Sequence, residues 1–145
     1  MLKLILTMPP SANDRLMIAR NGKRLIKREK YRAWQDSTAW AIKSQLGALE
    51  QPAPLNCPLL SVIHIIARDK RRRDYDNVAK CVNDALQIGG AITDDSLIKC
   101  AFSYSTLDRD NGGIVEVFLG HFEETDCAEA TALINKALDA QRNAK

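Results

Sequence analysis

The chain is short of what most enzyme classes need. Its 145 residues include two histidines and four cysteines, Cys57, Cys81, Cys100 and Cys127, which stand apart with no C-x-x-C pair and no histidine at zinc-ligand spacing. That pattern fits neither a structural zinc site nor a disulfide framework. Cys81 and Cys100 fall at apolar positions of an expected helix and strand, where reduced cysteine acts as a small hydrophobe. There is no P-loop, no G-x-S-x-G elbow and no cysteine–histidine nucleophile arrangement. No apolar stretch approaches the ~20 residues of a membrane span. The opening "MLKLILTMPP" is too short in its apolar part for a signal peptide and has no small-residue cleavage site, which predicts a cytoplasmic protein.

What is present is an ordinary globular composition with an uneven charge. A hydrophobic fraction of 46% and a charged fraction of 27% are those of a soluble domain with its own core, and the length fits one domain over residues 1–145. The net charge of +3 conceals a division: residues 1–80 carry 16 Lys/Arg against 7 Asp/Glu, and residues 81–145 carry 5 against 11. Thirteen of the 21 cations lie in residues 15–32 and 68–73. Solubility alone does not call for clustering, so two basic stretches on a small domain predict a phosphate-binding face and a nucleic-acid partner. Arg15 and Lys27 in the first stretch and Arg71, Arg72 and Arg73 in the second are the candidate DNA contacts.

Periodicity divides the rest. Residues 2–7 read as a strand ended by Pro9-Pro10, and Asn21-Gly22 marks a loose hairpin or an ordered loop. From about Arg28 a stripe of Tyr31, Trp34, Thr38, Ile42, Leu46 and Leu49 predicts a helix, with both tryptophans expected in the core. Residues 59–67, "LLSVIHIIA", are apolar at nearly every position, as a strand buried on both faces is; His64 within it is expected to be packed and hydrogen-bonded. A second helix is predicted over about 76–87, stopped by Gly89-Gly90, then strands near 98–105 and over 114–120 joined through "DRDNGG", and a C-terminal helix over 126–143. The fold expected is α+β: a mixed sheet of about four strands with helices packed on it.

The chemistry concentrates in "KRRRDYDNVAK", residues 70–80. Asp74 and Asp76 fall at a strand-to-helix turn, and Asp76, Lys80 and Asp84 follow at i, i+4 and i+8, a polar face that points Lys80 toward the carboxylates. Asp94-Asp95 lie in the turn before the next strand. If that strand lies beside 59–67, Asp95 is expected to converge on Asp74 and Asp76. Clustered carboxylates need a cation to remain ionised together, and all-oxygen ligands suit Mg²⁺, with Mn²⁺ as substitute. Such ions activate water for phosphodiester hydrolysis, while a lysine steadies phosphoryl charge or orients the water. The plainer reading of the same residues is helix capping by Asp74 and Asp76, with Lys80 as an i+4 partner; it is compatible with metal binding.

The order R-R-R-D-x-D-N-x-x-K-x-x-x-D-A-L at Arg71 to Leu86, followed about ten residues on by Asp94-Asp95, resembles the signature of the RusA family of Holliday-junction resolvases. The opening "MPPSANDR" and the late "NGG" before a strand resemble that family too, over about residues 5–119. The resemblance implies that Asp74, Asp76 and Asp95 hold the metal with Asp94 as accessory and that Lys80 is the essential lysine. It further implies a homodimer, without a small-molecule cofactor, that cuts four-way DNA junctions by paired Mg²⁺-dependent nicks in recombination and repair; such enzymes are often prophage-encoded. Two symmetric cuts need two centres, so the two acidic sites are expected to open on one face of the dimer. The competing readings are a nuclease of broader branched-DNA specificity and a non-catalytic DNA-binding module; a D-x-D sugar transferase lacks room for a donor domain.

Overall fold

Leu2, Leu4 and Leu6 alternate with Lys3, Ile5 and Thr7, and the three leucines are buried while the intervening residues are exposed, which is the signature of a strand with one face on a core. The structure, a computed structural model, describes residues 1–11, 16–18, 25–50, 52–71, 73–122, 128, 131–132, 134–136 and 139. The elements are β1 (Leu2–Thr7), β2 (Leu16–Ile18), β3 (Leu25–Lys27), α1 (Glu29–Ala48), β4 (Leu59–Ala67), α2 (Tyr75–Ile88), β5 (Ile98–Leu107) and β6 (Ile114–His121). Among the described residues no helix is long and apolar enough to cross a membrane.

β1, β6, β4 and β5 form one mixed sheet in that order, and β2 and β3 form a separate antiparallel pair. β6 runs antiparallel to both β1 and β4, whereas β5 runs parallel to β4, with Leu59 opposite Ile98 and Ala67 opposite Leu107. A parallel neighbour requires a crossover, and α2 supplies it. The α+β class with four main strands is as expected, and the segment around Asn21-Gly22 is flanked by the hairpin strands β2 and β3.

β4 is buried on both faces, as its unbroken apolar run predicts. Leu59, Ile63 and Ile65 join Leu4, Leu6, Val115, Val117 and Leu119 under Tyr31, Trp34 and Ile42 of α1 and Val78, Val82, Ala85 and Leu86 of α2. On the other face Leu60 and Val62 pack with Cys100, Phe102, Tyr104, Phe118, Phe122 and Ile134. The C-terminal helix expected over 126–143 lies mostly outside the described residues; those described within it are helical. His64 is buried on the outer face and fully bonded, through Nδ1 to Glu116 (3.1 Å) and Nε2 to the Thr106 hydroxyl (2.7 Å). Burial pushes its pKa down against the pull of Glu116, so the ring is neutral and its Nδ1–H donates to the carboxylate. The packed-histidine reading holds.

The core expectation fails at one tryptophan. Trp34 is buried and its indole N–H donates to the Thr7 carbonyl (3.2 Å), but Trp40 is 75% exposed. Six residues at 100° each set Trp40 about 120° around α1 from Trp34, off the buried face, and an aromatic residue is not core by type alone. Leu49, the C-cap of α1, is likewise exposed. α1 also closes the sheet edge. The Gln45 amide accepts from Ile5 N–H (2.8 Å) and donates to the Ile5 carbonyl (2.9 Å), standing where a further strand would pair.

The "NGG" turn is seated on the end of β4. Asp108 N–H donates to the Ala67 carbonyl, Gly113 N–H to that of Ile66, and Arg68 Nε–H to that of Gly112. A Cβ at Gly112 would stand 2.2 Å from the Asp108 carbonyl oxygen and 2.7 Å from the backbone of Ala67, and Gly113 has φ +89°. Gly112→Ala is therefore expected to lower stability by at least about 2 kcal/mol, or roughly 8 °C in Tm. Gly47→Ala, on α1 with nothing within 4 Å, is expected to raise it by about 0.5–1 kcal/mol. Thermal denaturation checks both, and equal Tm values for the two variants would contradict the packing described.

Candidate active site

Residues 68–74 leave a buried strand and enter a helix, so every polar group in the crossing must find water or a partner. Asp69 folds it. Its Oδ1 accepts from the Arg71 N–H (3.1 Å) and from Arg73 Nη2 (2.8 Å), while Arg73 Nη1 donates to the carbonyls of Asp69 (3.2 Å) and Arg71 (3.1 Å). The Arg71 N–H and the Arg73 guanidinium hold the Asp69 carboxyl below the usual carboxylate range. Arg73 thus serves as a latch within the loop, while the Arg71 side chain is 87% exposed, with only a long 3.8 Å approach to Asp69. The sequence signal for this latch was the i, i+4 spacing of Asp69 and Arg73, hidden in a run that reads as solvated charge.

Asp74 is the N-cap of α2. Its Oδ1 accepts from Asp76 N–H (3.2 Å) and its Oδ2 from the Asn77 side-chain amide (2.7 Å). The capping reading is therefore realised at Asp74 but not at Asp76 or in an Asp76–Lys80 pair, and Asn77, which sequence reasoning gave no role, orients the Asp74 carboxylate. Asp76 is exposed and has no side-chain partner among the described residues, and Lys80, one turn further along the same face, is likewise exposed and unpartnered among them. Asp84, two turns on, instead accepts from the Tyr31 hydroxyl (3.3 Å), so the polar face turns toward α1 at that end.

Asp74 and Asp76 open on a cleft of about 940 Å³. Ile65, Ala67 and Leu107 form an apolar part of its wall, Lys70, Arg71 and Arg73 a cationic part, and Asp69, Tyr75, Ser105 and Thr106 complete it. Phosphate-attracting charge, apolar surface and carboxylates thus share one concavity.

Asp94 and Asp95 do not share it. Because β5 runs parallel to β4, the turn before Ile98 lies at the start of both strands, whereas Asp74 follows the end of β4. Tyr75 reaches Ser105 on β5, and the seven residue steps from Ser105 back to Ile98 span about 23 Å. The expected convergence of Asp95 on Asp74 and Asp76 therefore does not occur within one chain. Consistently, no group of three His, Cys, Asp or Glu able to hold a metal is found among the described residues. Asp94 caps a short 3₁₀ turn by accepting from Ser96 N–H (2.8 Å), and the side chain and backbone of Ser96 hold its carboxyl below the usual range. Asp95 is the exposed, unpartnered member of the pair among the described residues.

The basic stretches divide as well. Arg15 and Arg72 lie outside the described residues. Lys27 donates to the Gln35 amide oxygen (2.9 Å) and lies over the Tyr31 ring (5.6 Å), which ties β3 to α1. Of the five cations expected to meet DNA, Arg71 is therefore the one described with its head group presented to solvent.

The latch makes a prediction. Asp69→Ala is expected to release Arg73 and increase tryptic cleavage within residues 70–73 several-fold at neutral pH, with the rest of the chain intact. The lowered pKa means that the contact is complete above the ordinary carboxylate range and is lost as pH falls through and below it. Unchanged tryptic rates would show that Asp69 does not hold the loop.

Residues 7–117 match the family model described as Endodeoxyribonuclease RusA. No curated protein matches the chain. The matched span runs from the end of β1 into β6 and takes in the acidic turn, its cleft and the whole β4–α2–β5 crossover, so this chain belongs to the RusA family of endodeoxyribonucleases.

Proposed function

We propose that the protein is a Mg²⁺-dependent, homodimeric, cytoplasmic Holliday-junction resolvase that nicks opposing strands of four-way DNA junctions in recombination and repair. The observation that carries this reading is the pair of exposed carboxylates, Asp74 and Asp76, at a cleft with Lys70 and Arg71 in its wall.

The donor set fits the metal. Two carboxylates with no histidine or thiol beside them suit Mg²⁺, which retains several waters and is commonly held by one or two carboxylates together with substrate phosphates. Asp74 and Asp76 would hold the ion, which would supply a more acidic water and neutralise phosphodiester charge. The protein's own groups do the rest. Asn77 and the Asp76 N–H fix the orientation of Asp74, as outer partners of a ligand do. Lys80 steadies charge on the phosphoryl oxygens or orients the attacking water, and Lys70 and Arg71, with Arg15 and Arg72, draw in the DNA backbone.

A second copy accounts for Asp95. β5 is the outer strand of the sheet, and among the described residues no strand pairs its free edge. Lys99, Ala101 and Ser103 on it are exposed. A copy added antiparallel about a two-fold axis near the middle of β5 would bring its Asp95 toward the Ser105 end, where Asp74 and Asp76 stand. Two mixed acidic centres would result, one for each strand to be cut, with Asp94 supporting each Asp95.

Asp76→Asn is expected to lower Mg²⁺-dependent junction cleavage by at least about 100-fold, roughly 3 kcal/mol of transition-state stabilisation. Junction binding is expected to be kept or strengthened, because one negative charge facing the phosphates is removed. Gel-shift and cleavage assays on the same four-way junction separate the two effects. Parallel loss of both, or cleavage at the wild-type rate, would overturn the assignment.

A further inference from the structure

Tyr75 stands between the two carboxylates in sequence, and nothing in the metal chemistry requires an aromatic ring there. It is the first residue of α2, is 44% exposed, and lines the cleft beside Asp74 and Asp76. Its hydroxyl bonds Ser105 Oγ on β5 (2.9 Å). The ring is thus held at both ends, by the helix backbone and by the strand, and its exposure in the cleft is maintained by the fold. A ring kept only for packing would be covered, as Tyr31 is.

The surroundings are those of a nucleobase subsite. Leu107 gives a partly exposed apolar wall over the buried Ile65 and Ala67, Thr106 and Ser105 a hydroxylated one, and Lys70 and Arg71 a cationic one suited to a phosphate. A cationic track beside an exposed aromatic face is how unpaired nucleotides are held, through backbone attraction and base stacking together. In intact duplex the base faces are occupied by their neighbours. At a crossover the stack of each strand is interrupted, which lowers the cost of extruding a base below that in continuous duplex.

We propose that Tyr75 is a stacking platform that takes an unstacked base from the branch point into the cleft, so that preference for branched DNA is set beside the scissile phosphate. The inference rests on the reading of the chain as a branched-DNA nuclease, but its test reads binding and does not depend on cleavage.

The experiment is a coupling cycle. Affinity for a set of four-way junctions, each with a single abasic site at or next to the crossover, is measured in Ca²⁺ for wild-type protein, Tyr75→Ala and Tyr75→Phe, with cleavage of the intact junction followed separately in Mg²⁺. Tyr75→Ala is expected to weaken binding of the intact junction by roughly 5- to 150-fold. One abasic position is expected to weaken wild-type binding by a similar factor, with little further loss when the two changes are combined. Tyr75→Phe, which keeps the ring, is expected to stay within a few-fold of wild type. If the Tyr75→Ala loss is the same on intact and all abasic junctions, or if Tyr75→Phe is as damaging as Tyr75→Ala, the stacking role is overturned even where wild-type protein resolves junctions. Coupling at one abasic position would sustain it even if cleavage were absent.

Discussion

The parallel pairing of β4 with β5 governs the rest of the structure. A strand buried on both faces has no room along its length for charged groups, so functional side chains must collect beyond its ends. A parallel neighbour then forces the chain to return along the whole strand, which α2 does with 14 residues, about 21 Å of helix. The first carboxylates, Asp74 and Asp76, are thereby fixed at one end of the crossover and Asp94 and Asp95 at the other. An antiparallel neighbour would have needed only a hairpin, and the four acids would have met. The topology that gives the chain a stable core also divides its acidic set.

That division has a chemical consequence. In the function proposed, two carboxylates and a cationic wall would attract a metal and a phosphate, and a third carboxylate would come from a second copy. The edge of β5, unpaired among the described residues, is the proposed route. The opposite edge of the sheet is closed, since the Gln45 amide satisfies both backbone groups of Ile5 and the Trp34 indole the Thr7 carbonyl. A sheet sealed at one edge and, among the described residues, open at the other is biased toward a single mode of strand addition.

Much of this was legible in the residues. Two-sided burial of β4 followed from its unbroken apolar run, the helix stripe from Tyr31 to Leu46 from its spacing, and the capping role of Asp74 from its place before an apolar helix. Trp40 was misread because an aromatic type was weighed above its angular position on α1. The position of Asp95 was misread because strand adjacency says nothing of strand direction, and direction decides which end of a strand a turn occupies. The arginine run was legible as charge but not as structure. Which of its members faces DNA and which holds the loop depends on Asp69, whose hydrogen bonds no composition reveals.

Completion of the acidic centre between two copies is tested by complementation between two inactive variants. Asp74→Asn and Asp95→Asn proteins are prepared separately and then mixed under conditions that allow subunit exchange, and nicking of a four-way junction in Mg²⁺ is measured. In the mixed dimer one centre carries both substitutions and the other carries neither, so strand nicking is expected to return, at one strand per junction. Centres confined to single chains would each retain one defect, and a mixture as inactive as its separate components would contradict the account.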